Sequence, residues 1–393
     1  MKIFLIPLLI AIAVNVIGDL FIYNQLKGIS FAKKALQRIH IALSLTLGAI
    51  VVAAAIAPIS LLNIPSKSLA IYVYSAILTA KIAYSLIALA ARALPRGWCR
   101  LTVNAVAVAA ALGIIASATY ATCHTRFDID VRQVQIEFCN LPAAFNGYRI
   151  AQFSDFHLGS LGSDTTFVHH LVQAINIQNP DLICFTGDLV NSASAEATPF
   201  VKCLSALNAP DGVMSVLGNH DYGDYHRWNN PQEKAADRIN LIRLETAAGW
   251  DVLLNTTRTI ARGNDSIKVI GVENIGEPPF HTYGNLREAY PALNDSCFKV
   301  LLSHNPSHWK SEVEPASNIN LMLAGHTHAM QIILNIFGKH ISPSALRYHE
   351  WQGLYSNSHD QHLYVNIGAG CIGMPARFGA KPEVTIITLK RKL

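Results

Sequence analysis

The first part of the chain is dominated by long apolar stretches. They lie at residues 3–23, 41–62, 69–91 and 101–121. Each is about 20 residues long, the length at which an α-helix crosses a hydrocarbon core of roughly 30 Å. The pattern therefore predicts four transmembrane helices. We interpret the first stretch as a span and not as a cleavable signal peptide, because it is long and three similar stretches follow it.

The hydrophobic pattern changes at about residue 124, where short β-type runs bounded by Gly, Pro, Asn and Asp begin. The predicted strands are residues 133–138, 148–154, 181–186, 213–217, 267–272, 298–303, 319–324, 363–367 and 383–389. Helical periodicity at 164–178 and 232–248 predicts helices between the early strands. The pattern thus predicts a membrane anchor at 1–123 and an α/β domain at 124–393, with helices outside a sheet core.

Composition fits a membrane protein better than a nucleic-acid-binding protein. The chain has 393 residues, 51% of them hydrophobic, and a formal net charge of +5. Much of the basic charge lies between apolar segments, where it indicates membrane orientation, so we do not expect nucleic acid as the main partner. The seven cysteines form no C-x-x-C pair and are odd in number, which indicates neither a disulfide framework nor a thiolate zinc site.

Basic residues are concentrated in two of the connections between spans. They are Lys27, Lys33, Lys34 and Arg38 in the first connection and Arg92, Arg96 and Arg100 in the third, against Lys67 alone in the second. Because such residues stay on the cytoplasmic side, the sequence predicts a multi-pass cell membrane protein with its second domain on the extracytoplasmic side. Three polar residues within spans, Asn15, Asp19 and Lys81, are expected to snorkel to the membrane surface or to pair inside the bundle, the alternative being an ion path.

Several predicted strands end in side chains that bind metals. These residues are Asp155, His157, Asp188, Asn219, His304, His326 and His328. Asp155, Asp188 and Asn219 recur at intervals of about 30 residues, the length of one β-α-β unit, so successive strands would bring them to the same edge of a sheet. Residues two apart in an extended segment point to one side, so Asp155 and His157 can hold one ion.

The ligand types indicate the metal. Two carboxylates, four imidazoles and an amide, without a thiolate, suit Mn, Fe or Zn. Seven ligands are too many for one such ion with an open position, and they divide between two divalent ions if Asp188 bridges. A pair of ions about 3.5–4 Å apart binds a phosphate, deprotonates a water and stabilises the attacking and leaving oxygens.

The motif order D-x-H, G-D, G-N-H-D, H and G-H-x-H resembles that of the calcineurin-like metallophosphoesterases, from about residue 148 to the end. The segments Tyr364–Gly370 and Met374–Gly379 are similar to the tail of the family's membrane-anchored bacterial branch. The resemblance implies a β-sandwich flanked by helices. It also implies that His220 faces the substrate phosphate, where it stabilises charge or protonates the leaving oxygen.

The resemblance further implies how the ligands divide. The first ion would be held by Asp155, His157, Asp188 and His328, and the second by Asp188, Asn219, His304 and His326.

Three features depart from or extend the family pattern. Asn191 stands where many members have an acidic residue that orients the catalytic histidine. The Asn191 amide can still accept a hydrogen bond from the His220 imidazole, but it cannot stabilise imidazolium by charge. We therefore expect His220 to be a weaker acid that favours good leaving groups. Ala329 and Met330 replace glycines of the close branch and are expected to narrow the pocket. Arg377 and Asn191 are candidate substrate-binding residues, a surface arginine being the alternative for Arg377.

The sequence predicts a membrane-anchored, dinuclear phosphoesterase that hydrolyses phosphodiester, phosphomonoester or pyrophosphate bonds. A metal-activated hydroxide would attack phosphorus while His220 assists. The expected substrate is a phosphate-containing small molecule or an envelope or lipid-linked compound. The alternatives are a catalytically weak membrane sensor or transport component that uses the domain for binding, and a binding protein with a single metal.

Overall fold

A computed structural model of the chain describes residues 2–27, 33–57, 61–278 and 281–392. The chain divides into two compact units. The first comprises Met1–Cys123 with Gly373–Pro375, and the second comprises His124–Ile372 with Ala376–Leu393.

Long helices build the first unit. They are α1 (Lys2–Leu26), α2 (Lys33–Ile56), α3 (Ile64–Ala91) and α4 (Trp98–Cys123). Within the described residues, four helices are long and apolar enough to cross a membrane by length and composition, as the hydrophobic pattern predicts. The part of the second predicted span at residues 58–60 lies outside the described residues.

Polar side chains connect α1, α2 and α3 inside their apolar bundle. The ammonium of Lys81 donates to Asp19 Oδ1 at 2.7 Å, to Asn15 Oδ1 at 2.9 Å and to Ser44 Oγ at 3.0 Å. His40 Nε2 lies 3.2 Å from the same Asp19 oxygen. These contacts are the pairing that we expected from the sequence. A charged side chain in the centre of a bilayer costs about 2.5–3.5 kcal/mol on insertion scales. The pairing of Lys81 with Asp19 lowers this cost for both side chains.

The second unit contains the strands and the shorter helices. In chain order the described strands are β1 (Asp130–Phe138), β2 (Arg149–Phe153), β3 (Leu182–Phe185), β4 (Val213–Ser215), β5 (Trp250–Val252), β6 (Thr256–Arg262), β7 (Asp265–Gly271), β8 (Phe298–Leu302), β9 (Leu321–Ala324), β10 (Leu334–Ile336), β11 (Lys339–Ile341), β12 (Gly353–Ser356), β13 (His362–Val365) and β14 (Glu383–Arg391). The described helices are α5 (Thr166–Asn176), α6 (Val201–Leu204), α7 (Pro231–Ala247), α8 (Leu286–Ala289) and α9 (Glu314–Ala316).

Two six-stranded sheets pack into a sandwich. The first has the order β1-β14-β2-β3-β4-β5 and the second β12-β13-β9-β8-β7-β6, while β10 and β11 form a separate antiparallel pair. Strands β2 to β5 are mutually parallel, as are β7, β8, β9 and β13. Parallel strands are typically covered on both faces, which explains why runs such as Leu182–Phe185 are wholly buried.

Apolar residues fill three layers around these sheets. Between the sheets, Ile150 and Cys184 of the first meet Val300 and Leu323 of the second. Helices α5, α6 and α7 cover the outer face of the first sheet. On the outer face of the second sheet, α8 packs together with a π-helical turn that begins at Trp309. The predicted fold class, an α/β sandwich flanked by helices after four membrane-type helices, is therefore confirmed.

The predicted strands correspond to β1 to β4, β7 to β9, β13 and β14, and the predicted helices to α5 and α7. The prediction missed β5, β6, β10, β11 and β12. These strands are short or mostly exposed, as Thr256–Arg262 is. They therefore lack the continuous apolar run by which buried strands are recognised.

Replacing Lys81 tests the pairing in the bundle. Lys81→Met leaves the Asp19 carboxylate without its cation, and we expect the free energy of unfolding to fall by about 3–5 kcal/mol. The double variant Lys81→Met with Asp19→Leu removes both charges and is expected to recover at least half of that loss. Thermal unfolding of the detergent-solubilised chain measures both. Lys34→Met, at an exposed position, is the control. Equal stability of all four proteins would contradict the pairing.

Candidate metal centre

The candidate ligands follow parallel strands at their carboxyl ends. In the first sheet, Asp155, Asp188 and Asn219 come shortly after the neighbouring strands β2, β3 and β4. In the second sheet, His304 and His326 follow the neighbouring strands β8 and β9. The interval of about 30 residues between Asp155, Asp188 and Asn219 correctly predicted that they lie together at one edge of a sheet. The complete set lies across the edges of both sheets, because the second half of the chain forms the other layer of the sandwich.

Three buried side chains form a first group. The ligand atoms of Asp155, His157 and His328 all lie within 4.8 Å of one another. His328 Nε2 is 3.2 Å from Asp155 Oδ1 and 2.9 Å from His157 Nε2. His157 Nδ1 lies 3.2 Å from the carbonyl of Val190, which can only accept, so this nitrogen carries the proton. His157 Nε2 therefore presents a lone pair to the group.

A second group forms around His304. The ligand atoms of Asp188, His304 and His326 again lie within 4.8 Å of one another. His304 Nε2 is 3.2 Å from each of three atoms, which are Asp188 Oδ2, Asn219 Oδ1 and His326 Nδ1. His304 Nδ1 donates to the Thr186 carbonyl at 2.7 Å, which leaves Nε2 as the ligand atom. Acceptor atoms thus converge on one point, an arrangement that a cation stabilises.

Asp188 lies between the two groups. Its Oδ2 is 3.2 Å from His304 Nε2 in the second group and 3.6 Å from His157 Nε2 in the first. Its Oδ1 accepts from the backbone N–H of His220 at 2.8 Å. The carboxylate is 2% exposed and is therefore shielded from water. This is the position that a ligand shared by two ions must occupy.

Burial and charge favour protonation states that bind metals. Burial lowers the pKa of His326 to about 3, with a further contribution from His304, and burial also lowers the pKa of His157. Burial raises the pKa of Asp188, but the positive charge and the hydrogen bond of His304 chiefly outweigh burial and hold that pKa well below its usual value. Ionised carboxylates beside neutral imidazoles are the forms that coordinate a metal.

His304 is the exception among these histidines. Burial lowers its pKa, but the carboxylates of Asp188 and Asp155 raise it to about 9 overall. The two carboxylates thus attract positive charge to the point on which the ligand atoms of the second group converge. A proton and a metal ion compete for such a point.

The backbone at the centre is strained. Asp155, His157, Asp188, His326 and His328 have φ angles of +53°, +47°, +62°, +75° and +49°. Residues other than glycine rarely adopt this left-handed region, at a cost of order 1–3 kcal/mol each. The extended geometry that we assumed for Asp155 and His157 is therefore wrong. Both side chains reach the first group because the chain turns sharply after β2, where Asp155 N donates to Gly187 O at 2.9 Å.

Two glycines are required by close approach. A Cβ on Gly325, the glycine of G-H-x-H, would lie 2.0 Å from Ser154 Oγ and 2.3 Å from Asp155 Oδ2. A Cβ on Gly218 would lie 2.2 Å from Asp188 Oδ1. Real Cβ atoms do not approach other atoms so closely, so any larger residue would displace a candidate ligand.

His220 borders the two groups without belonging to either. Its ring lies edge-on to the ring of His157, with centroids 4.8 Å apart, and is stacked by Tyr225 at 4.2 Å. Its Nδ1 lies 2.7 Å from the main-chain carbonyl of Asn191 and must donate to it. This contact fixes the neutral tautomer in which Nδ1 carries the proton and Nε2 has the free lone pair.

Comparisons with known proteins agree with this geometry. Residues 148–330 match the family model described as calcineurin-like phosphoesterase. The chain is 34% identical over 271 residues to the uncharacterized metallophosphoesterase YkuE of Bacillus subtilis, an alignment that covers 67% of this chain and 86% of that protein. The chain belongs to the calcineurin-like phosphoesterase family. It is thus a metal-dependent phosphoester hydrolase, and the predicted resemblance is confirmed.

Relatives with membrane segments are also found. A transmembrane protein with metallophosphoesterase domain from Bos taurus is 28% identical over 266 residues, which cover 66% of this chain and 57% of that protein. Among solved structures, a metallophosphoesterase from Sphaerobacter thermophilus matches 57% of this chain and 78% of its own, at 20% identity and a TM-score of 0.27. That TM-score is too low to support a further conclusion.

Several features of this phosphoesterase differ from the sequence-based expectations. The Asn191 side chain does not orient His220, because its Nδ2 donates to Ser160 Oγ at 2.9 Å. Asn191 acts on the histidine through its main chain instead. Ala329 is fully buried and Met330 is partly exposed. Both have positive φ angles, +50° and +46°, a backbone region that favours glycine. The narrowing of the pocket by their side chains stays a prediction.

Arg377 lies in the interior and not at a surface where a substrate could reach it. Its side chain is fully buried. Its Nε and Nη2 donate to Gly370 O at 2.9 and 2.6 Å, its Nη2 also to Ile367 O at 3.1 Å, and its Nη1 to Ala380 O at 3.0 Å. Nη1 also donates to Lys381 O at 3.4 Å, so all five N–H groups of the guanidinium are used within the tail loop and none is left for a phosphate. The substrate contact expected for Arg377 is not supported by this geometry.

Sequence reasoning missed three residues that position the candidate ligands. The buried Asp221 carboxylate accepts from the backbone N–H groups of Asp188, Leu189, Val190 and Gly218, at 2.8–3.2 Å. It is the last residue of G-N-H-D, so the motif itself was the available signal.

The other two are tyrosines from loops, which no sequence pattern marks. Tyr225 Oη accepts from Asn219 Nδ2 at 2.9 Å, which directs the amide oxygen of Asn219 toward His304. Tyr348 Oη lies 2.9 Å from His326 Nε2, which leaves Nδ1 of that histidine for the second group. Such partners orient metal ligands and tune the metal.

Replacing Gly325 tests the close packing of the centre. In Gly325→Ala the new methyl group must displace Ser154 and Asp155, so we expect the purified full-length protein to bind at least one metal equivalent fewer. Metal analysis after loading with Mn measures this. Gly113→Ala is the matched control, since nothing lies within 4 Å of a Cβ there. Unchanged metal content in Gly325→Ala would contradict the packing.

Replacing Asp221 tests its positioning role. Asp221→Asn places an amide N–H₂ among backbone donors, so we expect a loss of about 1–3 kcal/mol in the free energy of unfolding and lower metal content. Thermal unfolding and metal analysis measure the two effects. Asp265→Asn is the control, because that half-buried carboxylate accepts one backbone N–H, from Ala144. Equal effects of the two substitutions would rule out the role.

Proposed function

We propose that this chain is a membrane-anchored phosphoesterase with a dinuclear centre, in which residues 1–123 are the anchor and residues 124–393 the catalytic domain. It would hydrolyse phosphodiester, phosphomonoester or pyrophosphate bonds. The observation that carries the proposal is the position of Asp188 between two groups of ligand atoms, 3.2 Å from His304 and 3.6 Å from His157.

The donor sets support two divalent ions of the Mn, Fe or Zn type. Asp155, His157 and His328 with Asp188 would hold one ion. The other would be held by Asp188, Asn219, His304 and His326. Both sets contain carboxylate and imidazole, which suit these metals, and neither contains a thiolate. When bound, two such ions supply a hydroxide from water and positive charge for the phosphate oxygens.

The residues of the chain have separate tasks in this proposal. His220 uses Nε2 to hydrogen-bond the phosphate or to donate a proton to the leaving oxygen, while the Asn191 carbonyl holds Nδ1–H at 2.7 Å. That carbonyl is neutral, so it orients the ring but adds little charge stabilisation to an imidazolium. We therefore expect substrates with good leaving groups, such as pyrophosphates or activated diesters. Tyr225 restrains the His220 ring by stacking on it.

The basic loops support a catalytic domain on the extracytoplasmic side. Basic residues cluster around the starts of α2 and α4: Lys27, Lys33, Lys34 and Arg38 at the first, and Arg92, Arg96 and Arg100 at the second. Lys and Arg in short loops favour the cytoplasmic face. A substrate in the cell envelope or linked to a lipid would be accessible to a domain held there.

Replacing Asp188 tests the shared ligand. We expect Asp188→Asn in the full-length, Mn-loaded protein to reduce hydrolysis of bis-p-nitrophenyl phosphate at least about a hundredfold, since charge stabilisation at both ions weakens. Asp265→Asn is the control. If the wild-type protein hydrolyses neither this diester nor p-nitrophenyl phosphate, the catalytically weak sensor or transport component becomes the better account.

Replacing His220 separates catalysis from metal binding. His220→Ala is expected to lower kcat about 10²-fold or more while the protein keeps its bound metal, because a proton donor contributes typically 10²–10⁴-fold. The loss should be smaller for p-nitrophenyl esters than for alkyl esters, whose leaving groups need the proton more. Equal losses of kcat and of metal would mean that His220 is a ligand.

A reporter fusion tests the orientation. A reporter that is active only in the cytoplasm, fused after residue 125, is expected to be inactive. The same reporter fused after residue 96, in the third connection, should be active. The reverse result would place the catalytic domain in the cytoplasm.

A further inference from the structure

A small hairpin close to the candidate centre presents an apolar face. Strands β10 and β11 pair with Leu334 opposite Ile341 and Ile336 opposite Lys339. Directly opposed residues of an antiparallel pair share a face. Leu334, Ile336 and Ile341 therefore lie on one face together with Lys339. The remaining pair, Asn335 and His340, lies on the other face, so the hairpin is amphipathic.

The apolar residues of this hairpin are exposed. Leu334, Ile336 and Ile341 are 51%, 43% and 48% exposed, and Phe337 at the tip is completely exposed. Phe337 and Gly338 form the two-residue turn with φ angles of +51° and +78°. Such turns favour Asn or Asp before Gly, so an aromatic residue there is unfavourable both for the backbone and for solvation in water.

The exposed apolar surface continues toward the metal centre. Met330, two residues after His328, is 44% exposed, and Leu346 on the other side of the hairpin is 93% exposed. The base of the hairpin is fixed, because Ser342 Oγ donates to Ala329 O at 2.6 Å and Ile333 N donates to Phe378 O at 2.7 Å. We call residues 330–346 the apolar flap. It is connected rigidly to the strand end that carries His326 and His328.

The flap has one residue that is charged at pH 7. Residues 330–346 contain Lys339 but no other Lys or Arg and no Asp or Glu, whereas Arg347 and Glu350 follow the flap. Lys339 is exposed on the apolar face of the hairpin, and Arg347 is paired with Glu277 at 2.9 Å. An apolar surface with a lysine at its margin is typical of segments that lie in a membrane interface, where the lysine meets anionic headgroups.

We propose that the apolar flap inserts into the surface of a lipid bilayer and holds the metal centre against the phosphate headgroups of anionic lipids. In the sequence, β1 begins seven residues after the end of α4, so a bilayer is within reach of the domain in every copy of the chain. Exposed apolar patches of this kind mark interaction surfaces. The choice of lipid phosphate as substrate rests on the phosphoester hydrolysis proposed above, and the insertion rests only on the membrane anchor proposed there.

A depth measurement tests the insertion. The full-length protein, with exposed Cys99, Cys123 and Cys139 changed to serine, receives Phe337→Cys and an environment-sensitive fluorophore. It is reconstituted in vesicles of phosphatidylcholine and phosphatidylglycerol. We expect blue-shifted emission and quenching by spin-labelled lipid. Ile177→Cys, at an isoleucine that is 73% exposed outside the flap, is the matched control and should not be quenched.

The outcomes of this measurement are decisive for the flap. Equal, water-like emission from positions 337 and 177 would overturn the insertion. The emission from position 337 could instead shift with protein concentration in detergent, without quenching by lipid. That result would mean that a second copy of the chain covers the flap, and it would also overturn the insertion.

A kinetic comparison tests the substrate class. Phe337→Ser with Leu334→Ser is expected to lower hydrolysis of vesicle-borne phosphatidic acid or phosphatidylglycerol at least tenfold and to leave bis-p-nitrophenyl phosphate turnover unchanged. Ile177→Ser should change neither. Equal losses on both substrates would overturn the docking role.

Two further outcomes keep the proposals distinct. If the wild-type protein cleaves the soluble diester but neither vesicle lipid, these lipids are excluded as substrates. The proposal that lipid phosphates are the substrates then fails. If it cleaves nothing, the proposed function fails, while the depth measurement still decides whether the flap inserts.

Discussion

The Asp188 carboxylate is the feature on which the rest of the centre depends. It is buried, and its oxygens face imidazoles of both ligand groups and the backbone of His220. A buried carboxylate is costly unless positive charge or hydrogen bonds compensate it. The surrounding protein provides both, since the imidazoles hold its pKa low and Asp221 fixes the backbone on either side of it. The Asp221 carboxylate is therefore not itself a candidate metal ligand, yet its hydrogen bonds fix the backbone that carries Asp188.

The sandwich makes this concentration of polar groups possible. Each sheet ends at the centre, and the apolar layer between the sheets holds the two edges in register. Five candidate ligands adopt left-handed backbone conformations, which only a rigid framework maintains. Gly218 and Gly325 allow the loops to approach without side chains between them. The packing of the surrounding strands thus compensates the cost of these backbone conformations, which the residues themselves do not favour.

The sequence predicted most of this and failed for identifiable reasons. Buried strands and spans were recognisable from continuous apolar runs, and the candidate ligands from their places at strand ends. Hydrogen bonds between distant loops were not recognisable: Asn191 uses its carbonyl and not its side chain, Arg377 is buried, and the two tyrosines come from loops without a pattern. The short strands of the hairpin at 334–341 were missed as well, because they lack a buried face.

Anomalous diffraction from crystals of the Mn-loaded protein tests the central claim most directly. The account predicts two peaks about 3.5–4 Å apart, both within coordination distance of the Asp188 carboxylate. One peak would contradict it, and so would two peaks of which only one contacts Asp188.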